Sequence, residues 1–538
     1  MRLSEVIRLI DGKLFCEDEA EGKIIMSREY SHAIASDLMS NVMLDTRDDS
    51  ILITSLVNSQ VIRASEMMNI TCIIITCGKT VTETMVELSA NRNIALVETQ
   101  DTTFTVCGKL HNCGVTEGPL HLDHGHVTSI RLDRDLCIGC IHCARHCSTE
   151  AIRVRDWKAQ INPERCVECG MCVKVCPRHA IAPIVDTLDA LKEYDYKVAI
   201  PSSAFYSQFK NVKSRNHLLT SLKKIGFDDV YEEAIGAEMI SYATKKKIRS
   251  GKAKFPLISS SCPAILNLIE IKFPNLIDHV LEYRTAVEVT AEIAREETEK
   301  KYPGKRVGIF FIAPCTAEMS YVKESDEVVE TEIDEMVAIS ELYRPVSEAL
   351  KILDDEDVED LERSGVMGLR WASPGGESLA LTTDKFIAVD GIQEAIDIFE
   401  QLDNEKLEDV EFIEAEACAG ACSCGALTLE NNYISKVNLK KLVDEAKEKY
   451  GYAFLNTPGD ERKLQRNRPL RHRPVYQLDK DLNISLKKME EIGRVLKTLP
   501  GVDCGVCGSP TCKAFAEDVV RGLITEKACV LLKRRRER

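Results

Sequence analysis

The chain has 538 residues, too many for one ordinary hydrophobic core, and this length predicts about three or four domains. Its 44% hydrophobic and 29% charged residues are typical of a globular protein in water, and a net charge of −16 argues against a nucleic-acid partner. No apolar run is long enough to span a membrane, and the first residues lack the apolar core of a signal peptide. We therefore expect a cytoplasmic protein.

Residues 1–116 alternate short apolar strands with helical stretches, predicted at 50–54, 58–68, 72–76 and 80–90. This alternation predicts a small α/β domain with a parallel sheet. The segment resembles the DRTGG domain, a regulatory module of several metabolic enzymes, although the five-letter signature that names the domain is absent. The similar sequence segments are 35–40, 53–58 and 106–110. The resemblance implies a small-molecule ligand whose identity the sequence leaves open.

The 22 cysteines are mostly clustered, which indicates metal ligands rather than disulfides in a cytoplasmic protein. Five are scattered in the N-terminal domain, and we interpret them as small buried hydrophobic residues: Cys16, Cys72, Cys77, Cys107 and Cys113. The segment 118–126 contains His121, His124 and His126. A polar linker is favoured there over a metal site, because no cysteine accompanies the histidines.

Residues 130–186 contain two cysteine runs of one spacing, C-x-x-C-x-x-C-x-x-x-C. This doubled run is the pattern of bacterial two-cluster ferredoxins, in which the fourth cysteine of each run ligates the other cluster. The first ferredoxin set is therefore predicted to be Cys137, Cys140, Cys143 and Cys176. The second ferredoxin set is predicted to be Cys147, Cys166, Cys169 and Cys172. Two zinc sites are the alternative, but zinc ligand pairs usually lie farther apart in sequence.

Residues 190–455 have an α/β pattern, with strands predicted at 197–200, 256–259 and 307–312. Helices are predicted at 290–301, 391–402 and 438–450. Cys262 and Cys315 come just after two of the strands, and the carboxyl ends of strands form the usual cofactor cleft of such sheets. Pro263 can open a helix directly after Cys262, since proline suits the first helical position.

Three sequence frames in this segment resemble the motifs T-S-C-C-P, M-P-C-T and C-x-x-G-C of iron-iron hydrogenases. They lie at 259–263, 313–316 and 418–422, with further similarity at 340–342 and 375–377. The resemblance implies that four cysteines, here called the hydrogenase-like set, hold a four-iron cluster. They are Cys262, Cys315, Cys418 and Cys422. In the family the last of them bridges to a diiron unit that carries carbonyl and cyanide ligands.

The departures from the family lie closest to the chemistry. Ser261 replaces a proton-passing cysteine, and a hydroxyl cannot ionise near neutral pH as a thiol can. Glu318 replaces a lysine that donates to a cyanide, so it repels the cyanide unless burial keeps its carboxyl protonated. Both are candidate catalytic residues. Further departures are Ala313, Glu416, Ala421 and an extra cysteine, Cys424.

The polar segment 455–480 predicts a linker, and apolar residues from Leu486 to Leu499 at helical spacing predict a helix that Pro500 ends. The domain 480–538 then carries the C-terminal set, Cys504, Cys507, Cys512 and Cys529. Its text resembles the four-cysteine iron–sulfur domain of electron-transfer subunits, with a zinc site as the alternative. The basic end of the chain, 533–538, is interpreted as a solvated face.

The fold class expected is therefore multidomain α/β, with a ferredoxin-like insert, an α/β hydrogenase-like domain and a small helical iron–sulfur domain. About four 4Fe-4S clusters are expected, with or without a diiron unit carrying CO and CN ligands. Three functions compete: a hydrogen-binding protein of sensory or regulatory role, a competent hydrogenase with a rebuilt proton path, and an electron-transfer or scaffold subunit. Each implies a redox partner protein, such as a ferredoxin or another hydrogenase or regulatory subunit.

Overall fold

The computed structural model describes residues 1–15, 25–35, 50–67, 70–90, 92, 94–117, 128–251, 253–328, 331–407, 409–466, 468–479 and 481–532. The chain divides into two compact units, Met1–Val127 and Thr128–Arg538. Several predictions lie outside the described residues: the linker at 118–126, Cys16, most of the 35–40 segment and the basic end at 533–538. Of the helices that are described, none is both long and apolar enough to cross a membrane.

The first unit is an α/β structure, as predicted. Its described strands are β1 (Lys13–Phe15), β2 (His32–Ala35), β3 (Ser50–Thr54), β4 (Cys72–Ile75), β5 (Ala95–Glu98) and β6 (Thr116–Glu117). Its described helices are α1 (Leu3–Leu9), α2 (Ser59–Met67), α3 (Glu83–Ala90) and α4 (Thr103–Asn112). The strands form one sheet in the order β1-β5-β4-β3-β2-β6, parallel throughout except between β1 and β5.

The core of this unit lies on both faces of β3 and β4, whose residues are all buried. Successive residues such as Ile51 and Leu52 pack into apolar clusters on opposite faces of the sheet. Both faces are buried, which explains why the sequences of these strands are continuously apolar. The expectation for the scattered cysteines holds only in part. Cys72 is buried in the sheet, whereas Cys77 and Cys113 are exposed.

The second unit begins with the ferredoxin-like region. Two antiparallel strand pairs form it, β7 (Ile130–Leu132) with β10 (Ile181–Pro183), and β8 (Ile152–Arg155) with β9 (Lys158–Ile161). Two short helices, α5 (His142–Arg145) and α6 (Met171–Val175), each carry the third cysteine of one run. The repeated sequence spacing therefore corresponds to a repeated strand and helix pattern.

The α/β region contains two separate parallel sheets. Its strands are β11 (Tyr196–Pro201), β12 (Asp229–Val230), β13 (Leu257–Ile258), β14 (Val307–Ala313), β15 (Glu335–Ala338), β16 (Phe386–Asp390) and β17 (Phe412–Glu416). One sheet has the order β12-β11-β14-β15 and the other β13-β17-β16. The described helices are α7 (Arg215–Lys224), α8 (Ala234–Ser250), α9 (Pro263–Lys272), α10 (Ala286–Lys301), α11 (Thr316–Val328), α12 (Ile339–Ile352), α13 (Val366–Leu369), α14 (Ser378–Leu381), α15 (Ile392–Asp403) and α16 (Asn432–Tyr450).

Local sequence sets the helix starts that position the site. Pro263 is the first residue of α9 and Cys262 is its N-cap, as predicted. Helix α10 begins earlier than predicted, because Thr285 and Glu288 form a capping box that satisfies the first amides. Cys315 lies between β14 and α11, so the two motif cysteines follow strands of different sheets.

The segment 455–479 is packed against the second unit rather than forming a free linker. Leu464 is fully buried, and Arg473 Nε lies 3.2 Å from Glu270 Oε2 on α9. The Tyr476 hydroxyl donates to Thr149 O in the ferredoxin-like region at 2.9 Å. Polar composition suggested solvent exposure, but these side chains find charged and carbonyl partners across the fold. The segment thus connects the α/β region to the ferredoxin-like region.

The chain ends, within the described residues, in two helices, α17 (Leu482–Thr498) and α18 (Cys512–Val520). Helix α17 confirms the prediction from the apolar spacing, and Gly501 with a positive φ of 67° follows it. Val495 and Leu499 of this segment pack on Phe515 of α18 in a small core that also includes Cys529.

Candidate iron–sulfur centres and active site

The first ferredoxin set surrounds one cavity. All four of its predicted cysteines line it: Cys137, Cys140, Cys143 and Cys176. Backbone amides point at two of the sulfurs, Ala159 N to Cys137 Sγ at 3.4 Å and Ala180 N to Cys176 Sγ at 3.2 Å. Such amide-to-sulfur hydrogen bonds are usual around four-iron clusters and help set their potentials.

The second ferredoxin set is also brought together. Burial raises the pKa of the Cys166, Cys169 and Cys172 thiols, and the nearby Cys147 raises each of them further. Ala151 N donates to Cys147 Sγ at 3.2 Å. Thiolates held this close repel one another in a buried site, and the positive charge of bound iron would offset that repulsion and keep the thiols deprotonated. The structure thus brings together the cysteines of this set, and the crossed ligation of the two clusters stays a prediction.

The hydrogenase-like set converges from three chain segments. Burial raises the pKa of Cys262 to about 11, and it raises those of Cys315, Cys418 and Cys422 well above their usual range. Cys262 adds to the shift of each of the other three, so the four thiols share one site. The donor set fits a four-iron cluster, which takes four cysteine thiolates.

The second ferredoxin set lies beside the hydrogenase-like set. Cys169 acts electrostatically on Cys418, and Cys262 acts on Cys169. The Thr316 hydroxyl, next to Cys315, donates to Glu168 O at 2.7 Å. A Cβ added at Gly170, which has a φ of 69°, would lie 2.3 Å from Ala426 Cβ, so glycine permits this close approach.

Ser261 takes part in a buried hydrogen-bond chain. Ser259 Oγ lies 2.8 Å from Ser261 Oγ and 2.5 Å from Glu377 Oε2. Burial, followed by the charge of the neighbouring Glu414, raises the pKa of Glu377 to about 8 against the lowering effect of its hydrogen bonds with the two serines. A carboxyl group with this pKa exchanges protons at neutral pH, which neither serine can do alone.

Two more buried acids, Glu414 and Glu416, lie on β17. Glu414 Oε2 accepts from the Ser378 amide and hydroxyl, both at 2.7 Å, while Glu414 Oε1 has no hydrogen-bond partner among the described residues. Burial raises the pKa of Glu416 well above its usual range, and Glu414 and Glu377 raise it further. Glu416 in turn raises the pKa of Cys422, which places this acidic group next to the hydrogenase-like set.

Glu318 also acts on Cys422, and it forms an acid pair with Glu233. Burial raises the pKa of Glu318 well above its usual range, followed by the charges of Glu233 and Glu288. Burial also raises the pKa of Glu233 to about 7, while its hydrogen bonds with Ser203 and Glu318 lower it. Glu318 is therefore the protonated member, and it acts as a donor rather than as an anion.

A buried hydroxyl near this pair has no partner within the described part of the chain. Ser202 and Ser203 follow β11, beside the end of β14 that leads to Cys315; Ser203 bonds to Glu233, whereas Ser202 Oγ is unpaired. Buried hydroxyls normally find partners, so Ser202 is a candidate donor to a bound group. Sequence reasoning missed both serines. Their only signal was position after a buried strand.

Sequence reasoning also missed Glu233, Glu377 and Glu414 as site residues. Glu233 and Glu377 lie far from the motif cysteines in sequence and reach the site through the fold, whereas Glu414 lies on the strand just before Cys418. Glu377 entered the sequence analysis only within the similar segment 375–377, because the burial of an acid depends on neighbours that the sequence does not show. The predicted residues Ser261 and Glu318 both lie at the site, where they have buried acidic partners.

The C-terminal set lines a second cavity, with all four predicted residues present: Cys504, Cys507, Cys512 and Cys529. This region is fixed to the ferredoxin-like strands by a buried carboxylate. Asp518 Oδ2 accepts from Arg153 Nε at 2.8 Å, from Arg155 Nη2 at 2.6 Å and from Ser509 Oγ at 2.8 Å. Glu517 forms a further ion pair with Arg165.

Replacing Asp518 with alanine should destabilise this attachment by about 3 kcal/mol, because two mostly buried guanidinium groups lose their counter-charge. Anaerobic urea unfolding of cluster-loaded protein, followed through the signal of the C-terminal cluster, measures the loss. The matched control is Asp444→Ala, whose pair with Lys440 is exposed and should cost below about 0.5 kcal/mol. Equal costs for the two variants would show that the buried pair does not hold the attachment.

Comparison with known proteins gives four family matches along the chain. They are the DRTGG domain at 5–113, the 4Fe-4S dicluster domain at 129–177, the C-terminal domain of the iron only hydrogenase large subunit at 196–368, and an Fe-S cluster domain at 499–531. The dicluster match contains all eight ferredoxin-like cysteines. The hydrogenase match contains Cys262 and Cys315 but ends before Cys418 and Cys422.

Curated relatives are distant or short. The NADP-reducing hydrogenase subunit HndD of Solidesulfovibrio fructosivorans is 22% identical over 301 residues, which are 45% of this chain and 52% of the relative. A component of the ion-translocating oxidoreductase complex of Methanosarcina acetivorans is 49% identical over 45 residues, 8% of this chain and 17% of that protein. The chain spans about half the length of the hydrogenase subunit that it matches.

Among solved structures, a variant of the [FeFe]-hydrogenase HydA1 from Chlamydomonas reinhardtii is similar, with a TM-score of 0.39 and 14% identity. The match covers 53% of this chain and 98% of that one. The four family matches define an iron–sulfur redox protein that carries 4Fe-4S clusters. Residues 196–368 match the C-terminal domain of the iron only hydrogenase large subunit, and residues 5–113 match the DRTGG domain.

Proposed function

We propose that this chain binds hydrogen at the hydrogenase-like set and converts it slowly, in a sensory or regulatory role. The observation that supports this best is the pairing of a complete four-cysteine site with an altered proton path. Ser261 stands where the family has a thiol, yet it joins Ser259 and Glu377 in a continuous chain of hydrogen-bonding groups. Such a chain moves protons, but with a weaker acid at its inner end.

Cys262, Cys315, Cys418 and Cys422 would hold a four-iron cluster, with Cys422 as the bridge to a diiron unit. When bound, that unit would supply the site where hydrogen is split or formed. The Ser202 hydroxyl and the protonated Glu318 carboxyl would donate hydrogen bonds to its anionic ligands. The protein side of the chemistry is then to hold, orient and exchange protons.

The relay works through the polarity of its hydroxyls. Ser259 has one hydroxyl proton, so it donates either to Glu377 or to Ser261 at any moment. With Glu377 protonated, the acid donates to Ser259, which donates to Ser261, whose proton then points into the site. With Glu377 ionised, the chain reverses and carries a proton outward. Glu377 therefore takes or releases the proton, and the serines conduct it.

The scaffold function is kept as a second candidate on one observation. Glu318 and Glu416 both act on Cys422, and both raise its pKa. An anionic diiron ligand beside two acids requires both to stay protonated, because an ionised carboxylate offers only acceptors. A site that held only the four-iron cluster would not need the two acids to stay protonated. In that case the chain would carry electrons for a partner protein without reacting with hydrogen.

Hydrogen gas should reduce the four-iron clusters of anaerobically matured protein, detected as new paramagnetic resonance signals of reduced clusters. Electrons reach them because the hydrogenase-like and ferredoxin sets are neighbours. Cys422→Ser should abolish the signals under hydrogen, while dithionite should still reduce the ferredoxin-like clusters in that variant. Reduction by hydrogen that survives Cys422→Ser would place the reaction elsewhere. No reduction in either protein, with clusters present, would favour the scaffold.

A further inference from the structure

The C-terminal set lies directly against the first ferredoxin set. Gly505 lines the C-terminal cavity, and a Cβ added to it would lie 3.0 Å from Ile141 Cδ1, which lines the ferredoxin cavity. Val154 also lines the ferredoxin cavity, and its amide donates to Gly508 O at 2.7 Å. A single layer of residues therefore separates the two cysteine sites.

This contact completes a series of four sites. The first and second ferredoxin sets adjoin, because Cys143 acts electrostatically on Cys172. The second ferredoxin set adjoins the hydrogenase-like set through Cys169 and Cys262. Electron tunnelling falls off steeply with distance, so electrons pass most readily between neighbours in this order. The C-terminal set is the outer end of the series, and the hydrogenase-like set is the inner end.

Exposed apolar residues surround the outer end. Val502 and Val506 flank Cys504 and are 58% and 61% exposed, and Val530 follows Cys529 at 41%. Such a group of exposed apolar side chains around one cofactor site marks a protein contact surface. The inner set has the opposite surroundings, because its four cysteines lie among buried acids and serines. We name the surface of Val502, Val506 and Val530 the port face.

Lysines frame the port face. Lys497, Lys513 and Lys527 are exposed, and within the described part of the chain none of them forms an ion pair. Of the nearby acids, Glu517 and Asp518 are paired with arginines of the ferredoxin-like region. The exposed Asp503 accepts from the Cys512 amide, and Glu526 is half-buried beside Lys527. The whole chain has a net charge of −16. The three lysines against Asp503 and Glu526 leave the face weakly positive on an acidic protein.

We propose that the C-terminal set is the electron port of this chain, and that an acidic one-electron carrier protein docks on the port face. In each transfer the carrier loses one electron and the C-terminal cluster gains one, or the reverse, and no bond is made or broken. Positive lysines around an apolar centre steer an acidic partner and then bury its contact. The proposal requires the four-iron clusters only and holds with or without a diiron unit.

The test mixes a small acidic bacterial ferredoxin, reduced beforehand, with the oxidised, cluster-loaded full chain and follows bleaching of cluster absorbance. V506E and K513E should each slow the bimolecular rate about tenfold at low ionic strength, and added salt should shrink the effect of K513E. The matched controls are V437E, at a site 56% exposed on α16, and K300E on α10. Both controls should react at the wild-type rate.

A competing port is the first ferredoxin set itself, where Ile138 is 55% exposed beside Cys137 and Cys140. I138E separates the two, because it should leave the rate unchanged if electrons enter at the C-terminal set. Slowing by I138E but not by V506E would overturn the proposal. So would binding of the port face to vesicles of anionic lipid with no reaction toward ferredoxin.

C504S provides a readout that does not depend on docking. In wild-type protein the reduced C-terminal cluster should broaden the paramagnetic resonance of the adjacent ferredoxin cluster, and C504S should remove that broadening. Ferredoxin should then reduce the remaining clusters at a rate lower by about tenfold or more, while dithionite reduces them as before. Unchanged broadening would contradict the series, and an unchanged ferredoxin rate would contradict the port.

Discussion

Ser261→Cys is expected to raise hydrogen turnover of the matured protein by about tenfold or more, since positioned acid–base groups contribute roughly 10² to 10⁴-fold. The thiol titrates near neutral pH, so the inner end of the relay would gain a group that can hold the proton itself. Ser259 Oγ, 2.8 Å from Ser261 Oγ, is already placed to exchange a proton with it. Hydrogen–deuterium exchange and dye-linked hydrogen oxidation measure the gain.

Ser261→Ala is the matched control, because it removes the hydroxyl without adding an acid, and it should lower turnover. Glu318→Lys should add to the gain of Ser261→Cys by giving an anionic ligand a charged donor. Because the two positions face one site, the gain of the double variant should differ from the sum of the two single gains. Equal activity of the cysteine and alanine variants would contradict the relay. No activity in the Ser261→Cys/Glu318→Lys protein would favour the scaffold.

Glu377→Gln is expected to lower hydrogen–deuterium exchange by about 10²-fold, because an amide can bond to Ser259 but cannot give up a proton at neutral pH. The matched control is Glu238→Gln. Glu238 is also buried, and burial raises its pKa to about 7, but its partners are Asn456 and Gly365, away from the relay. That variant should exchange at the wild-type rate. Equal loss in both would indicate a general effect of removing a buried acid.

Glu377 should also make folding stability depend on pH. Its pKa is raised from 4.5 to about 8, so between these values the folded protein holds a proton that the unfolded chain releases. Stability from this group therefore falls as pH rises from about 5 to about 8. Glu377→Gln removes that decline. The unfolding free energy of the variant should therefore rise relative to that of the wild type as pH increases across this range. A difference that stays constant with pH would contradict the burial of a protonated Glu377.

The sequence was sufficient to predict which cysteines the fold brings together wherever those cysteines are close in sequence. The ferredoxin-like and C-terminal cysteines lie mostly in short runs, and Pro263 predicts the helix that follows Cys262, so spacing alone predicted these features. It could not predict that β13 and β14 belong to different sheets, because their flanking apolar runs look alike. The role of Glu377 depends on a contact across more than a hundred residues with Ser259, which no local pattern records.

The same limit applies to the series of cysteine sites. Arg153 and Asp518 are separated by most of the second unit, and their ion pair decides that the C-terminal set stands beside the first ferredoxin set. The segment 455–479 was predicted as a linker from its polar composition. Its arginines instead meet buried carboxylates such as Glu270, a pairing that composition cannot reveal.

Infrared spectroscopy of anaerobically matured protein tests the central proposal most directly. Bound carbon monoxide and cyanide absorb where protein groups do not, so the bands report a diiron unit without relying on activity. We predict carbonyl and cyanide bands in wild-type protein, their loss in Cys422→Ser, and a shift of the cyanide bands in Glu318→Gln, which keeps only an amide donor. A protein with all four four-iron clusters loaded and no such bands would contradict hydrogen binding at the hydrogenase-like set.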